Sequence, residues 1–132
     1  MLTFESKTAE ETSVGYWGYH LILDCKACSI SKITSRENVL RFIKVLVQAI
    51  DMKAYGEPVL EHFATHDPEK GGFSLVQLIE TSSITGHFVD KNGDVYLDIF
   101  SCKDFSIETT KEVVQEFFAP TKIKVTYLTR QA

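Results

Sequence analysis

Six segments of the chain carry the apolar patterns that are typical of β-strands. In most of them apolar and polar residues alternate, which predicts strands with one buried face. The first segment has bulky residues at both parities, so we expect it to be buried on both faces. The six segments are Trp17–Cys25, Val59–Thr65, Phe73–Glu80, Ser82–Val89, Val95–Ser101 and a last one that alternates Ile123, Val125 and Tyr127.

Two further segments have the spacing of amphipathic helices. The first follows Thr34, which forms a capping-box sequence with Glu37, and it should end near Met52. The second follows Ser106, a residue type that caps helices, and Pro120 stops it. The apolar stripe of the first helix comprises Val39, Phe42, Ile43, Leu46, Val47 and Ile50, and that of the second comprises Val113, Val114, Phe117 and Phe118.

The order of these elements, β-α-β-β-β-β-α-β, predicts an α+β fold. Residues 90–94, DKNGD, contain the Asn-Gly pair of a tight hairpin and join two strands as antiparallel neighbours. Because each helix has a single apolar face, both helices can cover the same face of the sheet. We therefore expect a two-layer sandwich with a largely antiparallel sheet and two helices on one face. The opposite face of the sheet must then be solvated or meet a partner, which suggests a homodimer.

The length of 132 residues fits one domain with its own core. Residues 1–15 form a short polar stretch, so we expect an N-terminal tail followed by a single domain at residues 16–132. No apolar run approaches the roughly 20 residues that cross a bilayer. The first residues also lack the basic-then-apolar pattern of a secretory signal. We expect neither a membrane span nor an export signal.

Charge and cysteine content narrow the class of partner and the compartment. The net charge is −4 and no basic cluster stands out, which argues against nucleic acid because phosphate neutralisation needs a basic face. A mildly acidic protein favours a neutral or cationic small molecule. Three cysteines (Cys25, Cys28 and Cys102) without an export signal indicate reduced thiols and a cytoplasmic location.

Two short motifs raise the question of a metal site. Cys25 and Cys28 form a Cys-x-x-Cys sequence, and His62 and His66 form a His-x-x-x-His sequence. The histidines lie in a strand-like segment, where residues four apart are roughly 13 Å from each other, too far to share a zinc ion at about 2 Å. The cysteine pair does not open a helix at once, which argues against a thioredoxin-type redox motif. We therefore expect no metal.

A cluster of hydroxyl residues precedes a histidine on the fourth predicted strand. Residues 81–83 are Thr-Ser-Ser, His87 follows, and Cys102 ends the neighbouring strand. Because the two strands are joined by a hairpin, we expect these side chains to converge. A cysteine near a histidine can act as a nucleophile or as a proton donor, although each residue alone is more often structural.

The alternation along this strand separates the two serines. Ser83 should share a face with His87, whereas Ser82 should point to the other face. Gly86 is unusual inside a strand and can mark a bulge, which would shift the alternation and bring Ser82 to the face of His87.

Three stretches of the chain match the motifs of one known family. Residues 19–24, YHLILD, match the family's first strand, with Cys28 at the position of a family cysteine. Residues 72–83, GFSLVQLIETSS, lie without a gap over the family segment GVSGVVVISESH. His87, Gly93 and residues 98–102, DIFSC, match the next block. Over most of its length the chain resembles the prokaryotic class of S-adenosylmethionine decarboxylases.

The resemblance implies a self-processing enzyme of polyamine (spermidine) synthesis. In that family the chain cuts itself before a serine, which becomes a pyruvoyl group. By position that serine is Ser82, and the cut would give residues 1–81 and 82–132. The pyruvoyl carbonyl would form a Schiff base with the substrate amine and serve as the electron sink when carbon dioxide leaves.

The resemblance also assigns roles to three further residues. Ser74 and His87 would be the processing pair, with His87 as the general base of the elimination. Cys102 would be the proton donor to the product. The implied cofactor is the pyruvoyl group alone, and the implied partner is a small-molecule substrate, most directly S-adenosylmethionine.

The departures from the family pattern concern substrate recognition and the cleavage dipeptide. They leave two alternatives open: the same chemistry on arginine or ornithine, or an unprocessed homologue that binds a ligand or a partner subunit. The family has Glu and His on either side of the cleaved serine, a ribose-binding Glu, and an adenine-stacking aromatic residue. In this chain Thr81 and Ser83 flank the cleaved serine, and Lys91, preceded by Val89 and Asp90, is at the position of the ribose-binding Glu. Pro68 is at the position of the aromatic residue, with Phe63 or Phe73 as candidate replacements.

Overall fold

Six strands form one sheet in a computed structural model that describes residues 15–132. The spatial order is β2-β3-β4-β5-β1-β6, and every neighbouring pair is antiparallel. The predicted strands are therefore confirmed, with ends that move by at most three residues. The strands are β1 (Gly18–Lys26), β2 (Val59–Phe63), β3 (Gly72–Ile79), β4 (Ser82–Phe88), β5 (Val95–Ser101) and β6 (Lys122–Arg130).

The helices are α1 (Ile30–Ile33), α2 (Arg36–Ala49) and α3 (Ile107–Phe118). The apolar stripes of α2 and α3 are buried together with alternate residues of the strands in one hydrophobic cluster. The predicted two-layer α+β sandwich is therefore confirmed. The largest fully buried side chains include Phe42, Phe88, Phe118, Leu21, Leu23, Ile84 and Leu97.

One face of the sheet is not covered by the helices, and we call it the open face. Along β3, β4 and β5 the buried residues alternate with partly or fully exposed ones, which belong to this face. Three apolar side chains on it, Val76, Leu78 and Tyr96, are 40%, 50% and 46% exposed. The open-face residues of the four central strands are Ser74, Val76, Leu78, Ser83, Thr85, His87, Tyr96, Asp98, Phe100, His20, Ile22 and Asp24.

The predicted burial of the first strand on both faces is wrong. In β1, Leu21 and Leu23 are fully buried, whereas His20, Ile22 and Asp24 are only partly covered. The bulky residues at the second parity belong to the open face, which a sequence pattern cannot distinguish from a second buried face.

The start of α2 also differs from the predicted capping box. Ser35, not Thr34, is the N-cap residue, and its hydroxyl accepts a hydrogen bond from the backbone N–H of Asn38 at 3.1 Å. Thr34 ends the short helix α1, which was not predicted, and its hydroxyl donates to the carbonyl of Ile30 at 2.7 Å. The predicted cap of α3 is confirmed, because Ser106 accepts from the backbone N–H of Thr109.

Residues 1–14 lie outside the described residues, and the predicted polar tail falls almost entirely on them. Within residues 15–132, none of the helices combines the length and the apolar character needed to span a bilayer.

Candidate active site

The predicted site residues form two groups at opposite ends of β4. Ser82 begins the strand, and His87 lies five residues further along, which is about 17 Å in a β-strand. Ser74 lies directly opposite His87 in the β3–β4 register. Cys102 follows the end of β5 and contacts Thr81 instead. The expected convergence is therefore confirmed for Thr81 of the hydroxyl cluster and Cys102, and it is wrong for His87 within one chain.

The first group is a hydrogen-bonded serine–histidine pair on the open face. The Ser74 hydroxyl lies 2.8 Å from Nδ1 of His87, and Nε2 of His87 lies 2.9 Å from the carbonyl oxygen of Lys70. Since a carbonyl only accepts, Nε2 carries the proton of the neutral ring, and Nδ1 accepts from the Ser74 hydroxyl. The loop before β3 thus sets the tautomer in which Nδ1 is the ring nitrogen that accepts, here from the Ser74 hydroxyl.

The second group surrounds the peptide bond between Thr81 and Ser82. Ser82 has φ = 151°, a region that non-glycine residues rarely adopt and that stores roughly 1–3 kcal/mol of strain. The carbonyl oxygen of Thr81 accepts a hydrogen bond from the backbone N–H of Cys102 at 2.9 Å. Among the described residues the Ser82 hydroxyl has no hydrogen-bond partner. A strained peptide with a polarised carbonyl and an uncommitted hydroxyl fits an internal acyl transfer.

Sequence reasoning missed two side chains that hold this peptide. The Ser101 hydroxyl donates to Oγ1 of Thr81 at 2.8 Å, and Thr81 in turn donates to the sulfur of Met52 at 3.3 Å. Ser101 is in the DIFSC match, but nothing in the sequence shows that its hydroxyl points to residue 81. Met52 follows α2 and carries no sequence signal for this contact.

The suggested bulge at Gly86 is wrong. β4 pairs without interruption with β3 from Ser82 to His87 and with β5 from Ser82 to Phe88. A Cβ at Gly86 would lie 2.8 Å from Leu97, so the glycine makes room in the core rather than shifting the alternation. Ser83 therefore shares the open face with His87, and Ser82 does not.

The three cysteines lie in different environments. Cys25 and Cys28 are buried, and burial raises the pKa of each thiol to about 12. Cys102 is exposed next to the Thr81–Ser82 peptide. Within residues 15–132 no group of three or more His, Cys, Asp or Glu side chains is arranged to hold a metal ion.

The positions that depart from the family's ribose contact are engaged in other pairs. Lys91 forms an ion pair with Glu69 of the loop before β3. A carboxylate oxygen of Asp90 accepts from Nε2 of His62 at 2.6 Å, and the backbone N–H of Asp90 donates to the carbonyl of Gly71. This loop and the β4–β5 hairpin are thus tied together beside His87.

The two candidate aromatic replacements differ in exposure. Phe73 is 9% exposed and points into the core, whereas Phe63 is 52% exposed. Phe63 lies opposite Gly72 at the end of β2, on the same face as Ser74. Pro68 is an exposed loop residue without a ring for stacking. Of these residues, Phe63 alone presents an aromatic face beside the serine–histidine pair.

Comparison of the sequence with known proteins identifies one family. The sequence profile of the S-adenosylmethionine decarboxylase family matches residues 19–131. The S-adenosylmethionine decarboxylase proenzyme of Clostridium botulinum (strain Hall, Type A) is 31% identical over 87 residues, which cover 66% of this chain and 70% of that protein. The proenzyme of the Loch Maree strain (Type A3) is 30% identical over 87 residues.

The fold has a solved counterpart. The crystal structure of the adenosylmethionine decarboxylase from Aquifex aeolicus VF5 matches with a TM-score of 0.74 and 17% identity, over 90% of this chain and 94% of that one. The protein thus has the fold of a decarboxylase of the α+β class. The chain belongs to the S-adenosylmethionine decarboxylase family. The resemblance found in the sequence is confirmed, and the roles of Ser74, Ser82, His87 and Cys102 stay predictions.

Proposed function

We propose that this chain is a proenzyme that cuts itself between Thr81 and Ser82 and then decarboxylates S-adenosylmethionine. The observation that carries the proposal is the geometry of that peptide bond. Ser82 has a strained φ of 151°, and the N–H of Cys102 polarises the carbonyl of Thr81. Neither feature is needed for an ordinary strand start, and both favour attack on this carbonyl.

The first step is an acyl transfer within the chain. The Ser82 hydroxyl attacks the carbonyl carbon of Thr81, an ester bond forms, and the peptide C–N bond breaks to leave a free amine on residue 82. The negative charge that develops on the Thr81 oxygen is stabilised by the N–H of Cys102. Release of the strain at Ser82 also favours this step.

The second step is an elimination that needs a base. A base removes the Cα proton of residue 82, the Thr81 carboxylate leaves, and addition of water to the remaining imine releases ammonia. Nδ1 of His87 is suited to the task, because its lone pair is directed at the Ser74 hydroxyl and Lys70 holds the other nitrogen protonated. The pyruvoyl group formed at residue 82 supplies an electron sink for decarboxylation.

A homodimer is part of the proposal, because one chain separates these groups. His87 is about 17 Å from Ser82 along β4. A two-fold axis between two facing sheets, perpendicular to β4, reverses the strand direction and brings the His87 end of one copy over the Ser82 end of the other. The half-exposed apolar residues Val76 and Leu78 on the open face support such packing.

The remaining roles concern the substrate. Cys102, exposed beside residue 82, would hold a proton at Sγ for return to the substrate carbon. Phe63 would provide an aromatic face for the adenine ring from the copy that contributes His87. The reaction feeds spermidine synthesis in the cytoplasm, where three unpaired thiols are chemically stable.

Intact mass of the purified protein tests the proposal. We expect two fragments, residues 1–81 and a 82–132 fragment with a pyruvoyl end. Ser82→Ala should abolish cleavage, whereas the matched variant Ser83→Ala should still be cut, since Ser83 lies on the open face and not at the strained position. A wild-type chain that stays at 132 residues under all conditions would refute self-processing.

The substrate is tested on protein whose cleavage state is known. Carbon dioxide release is measured with S-adenosylmethionine, arginine and ornithine in parallel. We expect release from S-adenosylmethionine and none from the other two. Release from a basic amino acid alone would leave the processing proposal in place and overturn the substrate.

A further inference from the structure

We propose that Ser101 is a positioning residue for self-cleavage, which acts by holding the side chain of Thr81 and thereby the carbonyl that Ser82 attacks. This inference rests on the proposed function and adds to it a residue to which neither the family motif nor the comparisons give a role. Ser101 does not touch the reacting atoms; it touches the residue that carries them.

Ser101 is a fully buried hydroxyl with its hydrogen bonds satisfied on both sides. Its exposed fraction is 0%, and it lies directly opposite Ser82 in the β4–β5 register. Its oxygen accepts from the backbone N–H of Lys103 at 3.0 Å and its hydrogen is directed at Oγ1 of Thr81 at 2.8 Å. A buried hydroxyl is retained only where its hydrogen bonds offset the loss of water.

The direction of the hydrogen bonds is fixed at both ends of the series. A backbone N–H can only donate and a thioether sulfur can only accept. The N–H of Lys103 therefore donates to Ser101, and the sulfur of Met52 accepts, with the Thr81 hydroxyl at 3.3 Å and the Ser101 hydroxyl at 3.7 Å. The shorter contact of Thr81 favours the order in which Ser101 donates to Thr81 and Thr81 donates to Met52. The Thr81 hydroxyl thus has a hydrogen-bond partner on each side, which restrains its side chain.

The same strand end also holds the carbonyl of Thr81. Cys102, the next residue after Ser101, donates its N–H to that carbonyl at 2.9 Å. Two consecutive residues therefore hold Thr81: Ser101 bonds to its side chain, and Cys102 bonds to its carbonyl oxygen. Two contacts on one residue restrict the orientation of the Thr81 carbonyl, and attack by the Ser82 hydroxyl requires an oriented carbonyl.

Met52 is itself held in place, so the hydrogen-bond series ends on a fixed group. The segment after α2 pairs with the β3–β4 turn, because Glu80 N–H donates to the carbonyl of Lys53 and Tyr55 N–H donates to that of Leu78. Lys103 also reaches back to the carbonyl and carboxylate of Asp51 at 2.7 and 2.8 Å. The segment 51–55 thus supports the turn that contains the cleaved bond.

The proposal depends on a feature in which this chain departs from the family it belongs to. The hydroxyl of Thr81 is the group that Ser101 binds, and the family pattern has Glu at that position. In this chain the paired hydroxyls of Ser101 and Thr81 thus orient residue 81 in place of the contacts of a glutamate.

The test is a double-mutant cycle on the rate of self-cleavage. Denatured full-length protein is refolded, and cleavage is followed by intact mass for wild type, Ser101→Ala, Thr81→Val and the double variant. Thr81→Val keeps the branched shape and removes only the hydroxyl. Thr110→Val is the matched control, since Thr110 is equally buried and hydrogen-bonded but lies in α3.

We expect each single variant to cleave about tenfold more slowly, as the loss of one buried hydrogen bond implies. The double variant should be no slower than the slower single variant, because both changes remove the same contact; independent effects would multiply to about a hundredfold. Ser101→Thr keeps the hydroxyl and should cleave within roughly threefold of wild type. Thr110→Val should cleave at the wild-type rate.

A second readout separates positioning from loss of stability. Hydroxylamine cuts the ester that the first step forms, so the fraction cut by a short pulse reports ester formation rather than elimination. Ser101→Ala should lower this fraction, and Ser101→Thr should restore it. If Ser101→Ala does not fold, Thr81→Val and Ser101→Thr still give both readouts.

The outcomes distinguish this inference from the function on which it rests. Wild-type cleavage with unchanged rates for Ser101→Ala or Thr81→Val would overturn the positioning role and leave self-processing intact. Multiplicative effects in the double variant would also overturn it. A wild-type chain that never cleaves would overturn both.

Discussion

At the scale of single residues, exposure divides the three cysteines into one accessible thiol and two protected ones. Cys25 and Cys28 are 1% and 5% exposed, with their pKa values raised to about 12 by burial. At pH 8 such thiols are ionised to roughly one part in ten thousand, and only the thiolate reacts quickly. Cys102 is exposed at the end of β5.

We therefore expect one fast-reacting thiol in the folded chain. Ser82→Ala protein, which stays in one piece, is treated with iodoacetamide at pH 8 and analysed by intact mass. One label should appear quickly, Cys102→Ser in the same background should remove it, and all three thiols should react in urea. Fast labelling of two or three thiols without urea would contradict the burial of Cys25 and Cys28.

The sequence motifs propose residues for the site but do not predict their arrangement. Ser74, Ser82, His87 and Cys102 were reached through motifs, which record residue types and spacing. His87 is remote from Ser82 because β4 runs without interruption. The predicted bulge at Gly86 would have brought both side chains to one face. Ser101 was not reached, because an ordinary buried serine acquires a role only through its partner.

At the scale of elements, the start of α2 depends on one hydroxyl whose identity the sequence left ambiguous. Thr34 and Ser35 are adjacent, and both are good N-cap residues. A capping box favours Thr34, but Thr34 is the C-cap of the short helix α1, and the N-cap of α2 is Ser35. A neighbouring element thus decides a choice that the local pattern cannot.

Stability measurements distinguish the two hydroxyls. Ser35→Ala should lower the free energy of unfolding by about 1 kcal/mol, because the N–H of Asn38 loses its partner. Thr34→Ala removes an exposed bond to the carbonyl of Ile30 and should change it by less than about 0.5 kcal/mol. Urea unfolding followed by circular dichroism measures both, and the reverse ranking would contradict the assigned cap.

Elements with strong periodicity were predicted well for a physical reason. The stripes of α2 and α3 and the alternation of β5 reflect burial against one layer, and the structure has that single layer. The burial predicted for both faces of β1 was wrong, since Ile22 is apolar but lies on the open face. Apolar residues on that face look like core residues to any pattern that assumes a monomer.

At the scale of the whole molecule, the open face and the divided site have one common explanation. A single chain leaves Val76 and Leu78 40% and 50% exposed and keeps His87 about 17 Å from Ser82. The proposed face-to-face homodimer would cover the apolar residues and complete two sites at once. The separation of His87 from Ser82 and the exposed apolar side chains thus both support the proposed dimer.

Mixing two inactive variants tests the shared site. His87→Ala supplies Ser82 without a base, and Ser82→Ala supplies the base without a cleavable serine. Neither should be cut alone. After the two are refolded together in equal amounts, random pairing places roughly half of the His87→Ala chains opposite an intact His87, and these should be cut.

The controls make the complementation specific to His87 across the interface. His66, an exposed loop histidine, provides the matched variant, and His66→Ala should cleave alone at the wild-type rate. Leu78→Asp on the open face should prevent both dimer formation and complementation, since it buries a charge against an apolar partner. Cleavage of His87→Ala by itself, or an uncut mixture that sedimentation shows to be dimeric, would mean that the site is not shared in this way.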